Sequence, residues 1–196
     1  MKKKFLFLLP ALLLSGSLSK AIFDDTYSPL HKFASRDAFQ LAKEHIAAGA
    51  DVNAKASSNL TPLHLATTAE MADLLIKSGA NINAKSGRTT PLMHAAYFGH
   101  ADVLKRLLEN GADIHPRDYN GRTALHNAID GDEFNAPEIV DELIAAGSNV
   151  NNINNWGETI LDTLYKHKDS YEPDTYNQLL SHLKKAGAKH QVYSVE

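Results

Sequence analysis

Two short patterns alternate along this chain, and their spacing restricts the possible folds more than any other feature. The first runs Ser28-Pro29-Leu30-His31, Thr61-Pro62-Leu63-His64, Thr90-Pro91-Leu92-Met93, Thr123-Ala124-Leu125-His126 and Thr159-Ile160-Leu161-Asp162. The second runs Gly49-Ala50-Asp51-Val52-Asn53, Gly79-Ala80-Asn81-Ile82-Asn83, Gly111-Ala112-Asp113-Ile114-His115 and Gly147-Ser148-Asn149-Val150-Asn151, with Gly187-Ala188 beginning a copy that fades. Successive Thr/Ser positions lie 33, 29, 33 and 36 residues apart, but each glycine precedes the next Thr by 12, 11, 12 and 12. Length therefore varies inside a unit, and the connection between units is held nearly constant.

Each pattern has a local meaning. Thr before Pro reads as an N-cap followed by the first helical residue, since the hydroxyl takes an orphan N–H and proline has none. The glycine after each apolar stretch suits a left-handed residue just past a helix. Asn120-Gly121 and Trp156-Gly157 supply turn chemistry. Val103, Leu107 and Leu108, like Ile139, Val140, Leu143 and Ile144, keep helical spacing and read as core. Each unit is then two short antiparallel helices and a projecting loop, and stacked neighbours supply the apolar core that one unit lacks.

Thr-Pro-Leu-His-x-Ala paired with Gly-Ala-Asp-Val-Asn resembles the ankyrin repeat, and Thr61–Ala66 with Gly49–Asn53 match it without departure. The resemblance covers roughly residues 24–190. It implies an all-α ankyrin-repeat solenoid of about five helix-turn-helix units, starting near residues 24, 57, 86, 119 and 155. Departures fall inside units. The Thr61 unit is short around Thr67-Thr68-Ala69-Glu70, and the Thr123 unit carries the acidic insertion Asp130-Gly131-Asp132-Glu133-Phe134-Asn135 before Pro137. The last unit is longest, with Lys166 to Asp174 placed before its second helix, and Asp162 and Leu164 break its motif.

Ahead of the repeats, Lys2, Lys3 and Lys4 precede an apolar run from Phe5 to Leu14, interrupted by Pro10, and then the small, polar Ser15–Ala21. That order is a secretory signal peptide, read as residues 1–21 with cleavage after Ala21 or Ser19; the repeat domain is 22–190 and the tail 191–196. The run is shorter than the ~20 residues of a spanning helix. Leu13 to Ser17 resembles a lipoprotein box with Ser17 where the lipidated cysteine would stand. Zero cysteines exclude that lipidation, thiol catalysis and thiolate metal sites, and export without disulfides points to a bacterial periplasm. In that setting the acceptor-like Asn59-Leu60-Thr61 is accidental. Removing four lysines with the leader leaves 16 basic against 23 acidic residues, which disfavours nucleic acid and anionic membranes.

The ten histidines invite a metal reading. The resemblance instead implies that His31, His64 and His126 bond neighbouring loop backbones, and His94 has no assigned role. His167, His182 and His190 form no i, i+4 pair. The acidic insertion lacks the layout of a calcium loop. No phosphate loop, nucleophile elbow or cofactor motif occurs, so no catalytic residue, metal or cofactor is expected.

What the resemblance implies is binding, with partners docking on the concave side formed by loop tips and first-helix ends. Carried over by position, these are Asp25, Tyr27, Ser58, Leu60, Gly87, Thr89, Tyr119, Asn120, Arg122, Trp156 and Glu158, with Ser35, Arg36, Tyr97, Phe98, Asp130, Gly131, Lys166 and His167. Ten form the candidate site: Tyr27, Leu60, Tyr97, Phe98, Tyr119, Arg122, Asp130, Asp132, Trp156 and Glu158. Tyr119, Trp156 and Arg122 belong to residue types enriched at binding hot spots, and acidic loops at the rim make a basic partner surface plausible. The expected role is a monomeric, non-catalytic protein-binding scaffold in the periplasm. An immunity or inhibitor protein and a protector of a periplasmic enzyme are its concrete forms, and a secreted effector that binds host proteins is the alternative.

Overall fold

Proline, alanine or isoleucine after Ser or Thr starts the first helix of each unit, and glycine follows the second. A computed structural model of the chain describes residues 27–56, 58–132 and 134–190. The signal-peptide reading, Asp25, Glu133 and the tail 191–196 lie outside the described residues. Pairs follow in order: α1 (Pro29–Ser35) and α2 (Phe39–Ala47); a 3₁₀ turn (Pro62–Leu65) and α3 (Ala69–Lys77); α4 (Pro91–Tyr97) and α5 (Ala101–Glu109). Then come α6 (Ala124–Asp130) and α7 (Ala136–Ala145), and α8 (Ile160–Lys166) and α9 (Pro173–Lys185), the last pair separated by a 3₁₀ turn at Lys168–Ser170. No strand occurs among the described residues, so the all-α expectation holds.

First helices stack on first helices, and second helices α3, α5, α7 and α9 pack in a row behind them. Leu30, Leu63, Leu92, Leu125 and Leu161 are all buried in the first row. In the second row Val103, Leu107, Ile139, Val140 and Leu143 are buried, while Leu108 and Ile144 are partly so. Cutting one such leucine to alanine costs about 2–5 kcal/mol by lost transfer energy and an unfilled cavity. Thr90 Oγ1 accepts from Met93 N and Thr159 Oγ1 from Asp162 N, both at 3.3 Å. The post-helix glycines 49, 79, 111, 147 and 187 all have φ between 82° and 93°, the left-handed region where a side chain is penalised.

Asparagine side chains tie successive loops together. Asn53 donates to Gly79 O (2.9 Å) and accepts from Asn81 N (2.7 Å); Asn83 accepts from Asp113 N (2.9 Å). Asn151 donates to Gly187 O (3.1 Å) and accepts from Lys189 N (2.8 Å). His115 occupies the equivalent position in the third unit and makes no such bond among the described residues.

The short unit differs from its neighbours for a steric reason. With three residues missing, the chain after Leu63 cannot complete an α-turn and still reach the second row. It closes as a 3₁₀ turn, and Ala66 is extended. Ala69 and Glu70 are therefore not inter-helix residues; they open α3, with Thr68 Oγ1 accepting from Met71 N at 3.3 Å. Likewise Pro173 and Asp174 begin α9 and do not precede it.

Candidate functional site

Two turns shape the loop side, each built on one polar residue five positions before the next Thr. Asp118 Oδ1 accepts from Asn120 N (2.8 Å) and Arg122 N (2.9 Å), while Asp118 N donates to Arg122 O (2.9 Å). Asn154 Oδ1 accepts from Trp156 N (2.9 Å) and Glu158 N (3.0 Å), and Asn154 N donates to Glu158 O (2.9 Å). Satisfied inside, these turns push the residue at their tip outward: Tyr119 is 70% exposed and Trp156 60%. Asp118 and Asn154 were missed in the sequence because they lie between the two repeated patterns and bond chiefly within their own turns. The recurring polar residue at that offset was the available signal.

Beside the second turn lies a groove of about 630 Å³, lined by Tyr97, Arg122, Asp130, Asn154, Trp156, Glu158, Thr163, Lys166 and His167. Tyr97 comes from the end of α4, Asp130 from the end of α6, and Lys166 and His167 from the end of α8. Five sequence candidates thus meet here: Tyr97, Arg122, Asp130, Trp156 and Glu158.

The charges in the groove are spent on one another. Arg122 donates from Nε to Asp118 Oδ2 (2.9 Å) and from Nη1 to Asp130 Oδ2, and His167 Nε2 lies 3.2 Å from Asp130 Oδ1. Burial opposes the Arg122 guanidinium, yet the Asp118 and Asp130 carboxylates outweigh it and raise its pKa. Glu158 accepts from Lys166 and from Asn154 Nδ2 (2.9 Å), and those two bonds hold its carboxyl below the usual range. Arg122 is therefore a tie between its own turn and the end of α6, not a free anchor. The Thr163 hydroxyl donates to Thr159 O (3.1 Å). What the groove offers outward is aromatic: Trp156, and Tyr97 at 44% exposure.

The other candidates lie elsewhere. Phe98, 49% exposed, continues from Tyr97 at 5.1 Å between ring centres and packs on His94 at 4.5 Å. Tyr27 is half-buried, edge-on to His31. Leu60 is half-buried, and its carbonyl accepts from His31 Nε2 and Ala56 N, both at 2.9 Å. Asp132 is half-buried and not a free rim carboxylate: its Oδ1 accepts from Phe134 N (3.1 Å) and Asn135 N (3.2 Å), and its own N–H donates to Tyr97 O (2.9 Å). Phe134 beside it is 80% exposed.

The motif histidines act on backbone. His64 Nδ1 accepts from Thr61 N (3.1 Å), so that nitrogen carries no proton and Nε2–H donates to Thr89 O (3.3 Å). Burial lowers its pKa to about 4. His126 Nδ1 likewise accepts from Thr123 N (3.3 Å), and its buried ring faces the Glu158 backbone, the position equivalent to Thr89. In the last unit the Asp162 carboxylate replaces the imidazole and accepts from Thr159 N (2.9 Å), and its other oxygen meets His190 Nδ1 (2.9 Å).

With this geometry in view, a family model of ankyrin repeats in three copies matches residues 4–86 and 85–154. The stretch beyond 154 is outside that match, yet α8 and α9 pack as the preceding pairs do. The chain is similar to the neurogenic locus Notch protein of Drosophila melanogaster, 36% identical over 110 residues, covering 46% of this chain and 4% of that protein. It is similar to the RelA-associated inhibitor of Mus musculus, 40% identical over 95 residues (47% of this chain, 11% of the relative). With alpha-latrotoxin-Lg1a of Latrodectus geometricus it is 31% identical over 130 residues, covering 62% of this chain and 10% of the toxin. The matched stretch is thus about a tenth or less of each relative.

Proposed function

This chain belongs to the ankyrin-repeat family, a family of protein–protein interaction scaffolds that are typically non-catalytic, and from that premise we propose that it binds a protein partner on its loop side, in a bacterial periplasm. The observation that carries the site is the groove beside Trp156, where the ionic groups neutralise one another and two aromatic rings are left toward solvent. An aromatic surface over a satisfied polar floor takes an apolar side chain of a partner without stranding a charge, as binding hot spots require. The basic, apolar and small order of residues 2–21 supports export. Blocking another protein, as an immunity or inhibitor protein does, and sheltering a periplasmic enzyme are the two forms we favour. One similar protein is itself named an inhibitor.

The test is capture from periplasmic extract with the wild-type chain and a Tyr97→Ala/Trp156→Ala variant of unchanged circular dichroism. A partner held by the first and weakened at least about 30-fold in the second supports the reading. Equal retention by both removes the groove from the argument. For location, mass spectrometry of the mature protein should find an N-terminus at Ile22 or Lys20 in the periplasmic fraction. Mature protein in the medium without lysis would support the effector reading, and an uncleaved chain in the cytoplasm would sink the export proposal.

A further inference from the structure

The loop tips and the second helices carry opposite charge. Tip segments 54–60, 84–89 and 116–122 contain five Lys or Arg and a single acid, Asp118. The five second helices contain nine carboxylates against six Lys or Arg. Asp118 is buried under Arg122, whereas Lys55, Lys85, Arg88 and Arg117 are exposed and enter no ion pair among the described residues. Arg117 is steered by backbone alone, donating to Gly121 O (2.8 Å) and to Ile153 O. The only carboxylate lining the cleft of about 520 Å³ between Lys85, Arg88 and Arg117 is Asp113, which accepts from His115 N (2.9 Å).

These tips form one continuous edge. Ser86 Oγ donates to Ser58 O (2.6 Å), Arg88 lies 5.6 Å from the centre of the Tyr119 ring, and Asn155 N donates to Asn120 O (2.8 Å). Gly87, at φ 60°, lets the Tyr119 ring lie close against the loop; a Cβ there would stand 2.8 Å from the ring and push it aside. The edge leads toward the Trp156 groove, where unpaired positive charge gives out: Arg122 is paired with Asp130 and Lys166 with Glu158.

We propose that the loop edge of the second to fourth units receives an acidic, extended segment of the partner protein, whose apolar residue then enters the Trp156 groove. The proposal rests on the loop-side reading above and reverses the basic partner that the acidic insertion suggested, because Asp130 and Asp132 are engaged internally. Stacked helices repeat at about 8–10 Å, and an extended chain of polyproline-II form returns its side chains to one side every three residues, over about 9 Å. Carboxylates about three residues apart therefore meet successive loops. A uniform polyanion such as nucleic acid fits less well, since its charge would continue into a groove whose Arg122 and Lys166 are already paired with Asp130 and Glu158.

Display of random peptides of about twelve residues, long enough to cross three loops, tests this on the full chain. Selected peptides are expected to carry Asp or Glu at three-residue spacing. Their affinity, read by fluorescence polarisation, should fall at least tenfold in Lys85→Glu/Arg88→Glu and with about tenfold more salt. It should hold in Lys105→Glu/Arg106→Glu on the second helices, all variants having wild-type circular dichroism. Neutral or basic peptides that ignore the loop reversal but are lost in Trp156→Ala overturn this inference and leave the groove reading standing. Binding indifferent to every variant removes both. Tighter, competing binding of oligo-dT of about twenty nucleotides overturns the proposal in favour of nucleic acid. An empty selection also counts against it, because such carboxylate spacing is abundant in random peptides.

Discussion

The imidazoles of His64 and His94 are held neutral inside the stack, which makes the fold acid-sensitive at the scale of single residues. Burial is the main cause for both and lowers each pKa to about 4; His31 adds repulsion at His64, and His64 and His100 at His94. Asp132 is the carboxylate that faces this row, acting at His100. A proton on His64 would have to sit on Nδ1, against the Thr61 N–H that points at it. Between the folded pKa near 4 and the unfolded value of 6.5, the unfolded chain binds more protons, so stability rises with pH. That stability is whole above about 6.5 and is lost as pH falls toward 4, on the order of 2–3 kcal/mol for one ring. Urea midpoints at neutral pH and near pH 4.5 should differ accordingly, and His94→Leu should flatten the dependence; a pH-independent midpoint would refute it. The Thr-Pro-Leu-His slot was legible because its Nδ1 bonds close within one turn and its residues recur at the repeat spacing, whereas the unassigned role of His94 arises from rings on three segments meeting, which spacing does not reveal. His115 is the opposite case, a single departure with a readable consequence. Asn53 and Asn151 each make two bonds to the next unit, so His115→Asn should restore them and stabilise by about 1 kcal/mol. A thermal midpoint unchanged or lowered in that variant would show that the fourth unit's loop stands out of reach.

Among the elements, the turn between α6 and α7 does most to shape the binding side, and the sequence was least informative there. Asp130 to Asn135 read as a solvated or partner-facing acidic insertion. Its first residues fold back on α4: Asp132 N reaches Tyr97 O, and Gly131 lies so close that a Cβ would stand 2.0 Å from that carbonyl oxygen. The contact positions Tyr97, a groove wall, from a residue in another unit. Gly131→Ala should therefore cost several kcal/mol, at or above the ~1–3 kcal/mol typical of overpacking, because the atom it meets is backbone. Partner affinity should fall with it. A variant as stable as wild type would show that the α6–α7 turn shifts freely, and Tyr97 would then owe its place to α4 alone. Helix order and repeat register were legible from period and capping, since those signals lie within about four residues of each other. Arg122 shows the limit: its pairing with Asp118 follows from a turn, but Asp130 comes into reach only when a helix end arrives beside it.

At the scale of the molecule, a row of units is stabilised mainly by nearest neighbours, so its parts need not open together. The second helices differ sharply in what they contribute. Helix α5 buries Val103, Leu104 and Leu107, and α7 buries Ala136, Pro137, Ile139, Val140 and Leu143. Helix α2 buries only Ala42, and its Leu41 is 52% exposed. The neighbour it leans on is the unit whose first helix is reduced to a 3₁₀ turn. Each large apolar side chain fully removed from water contributes about 1.5–3 kcal/mol, and two or three fewer in one helix lower its local opening energy by several kcal/mol. At the other end Tyr171 donates to Ile129 O (2.6 Å) from a buried position, and Lys189 and His190 bond Asn151 and Asp162, so α9 is fastened on both sides. Hydrogen exchange followed by mass spectrometry should find α2 amides exchanging at least about a hundredfold faster than those of α5 and α7, with α9 in between. Uniform protection along the chain would mean that the units open as one. The acidic segment proposed for the loop edge would then report on the whole fold when it binds. With graded protection, a partner seated between Lys55 and Arg117 should slow exchange most in the second unit, where the 3₁₀ turn leaves the stack thinnest.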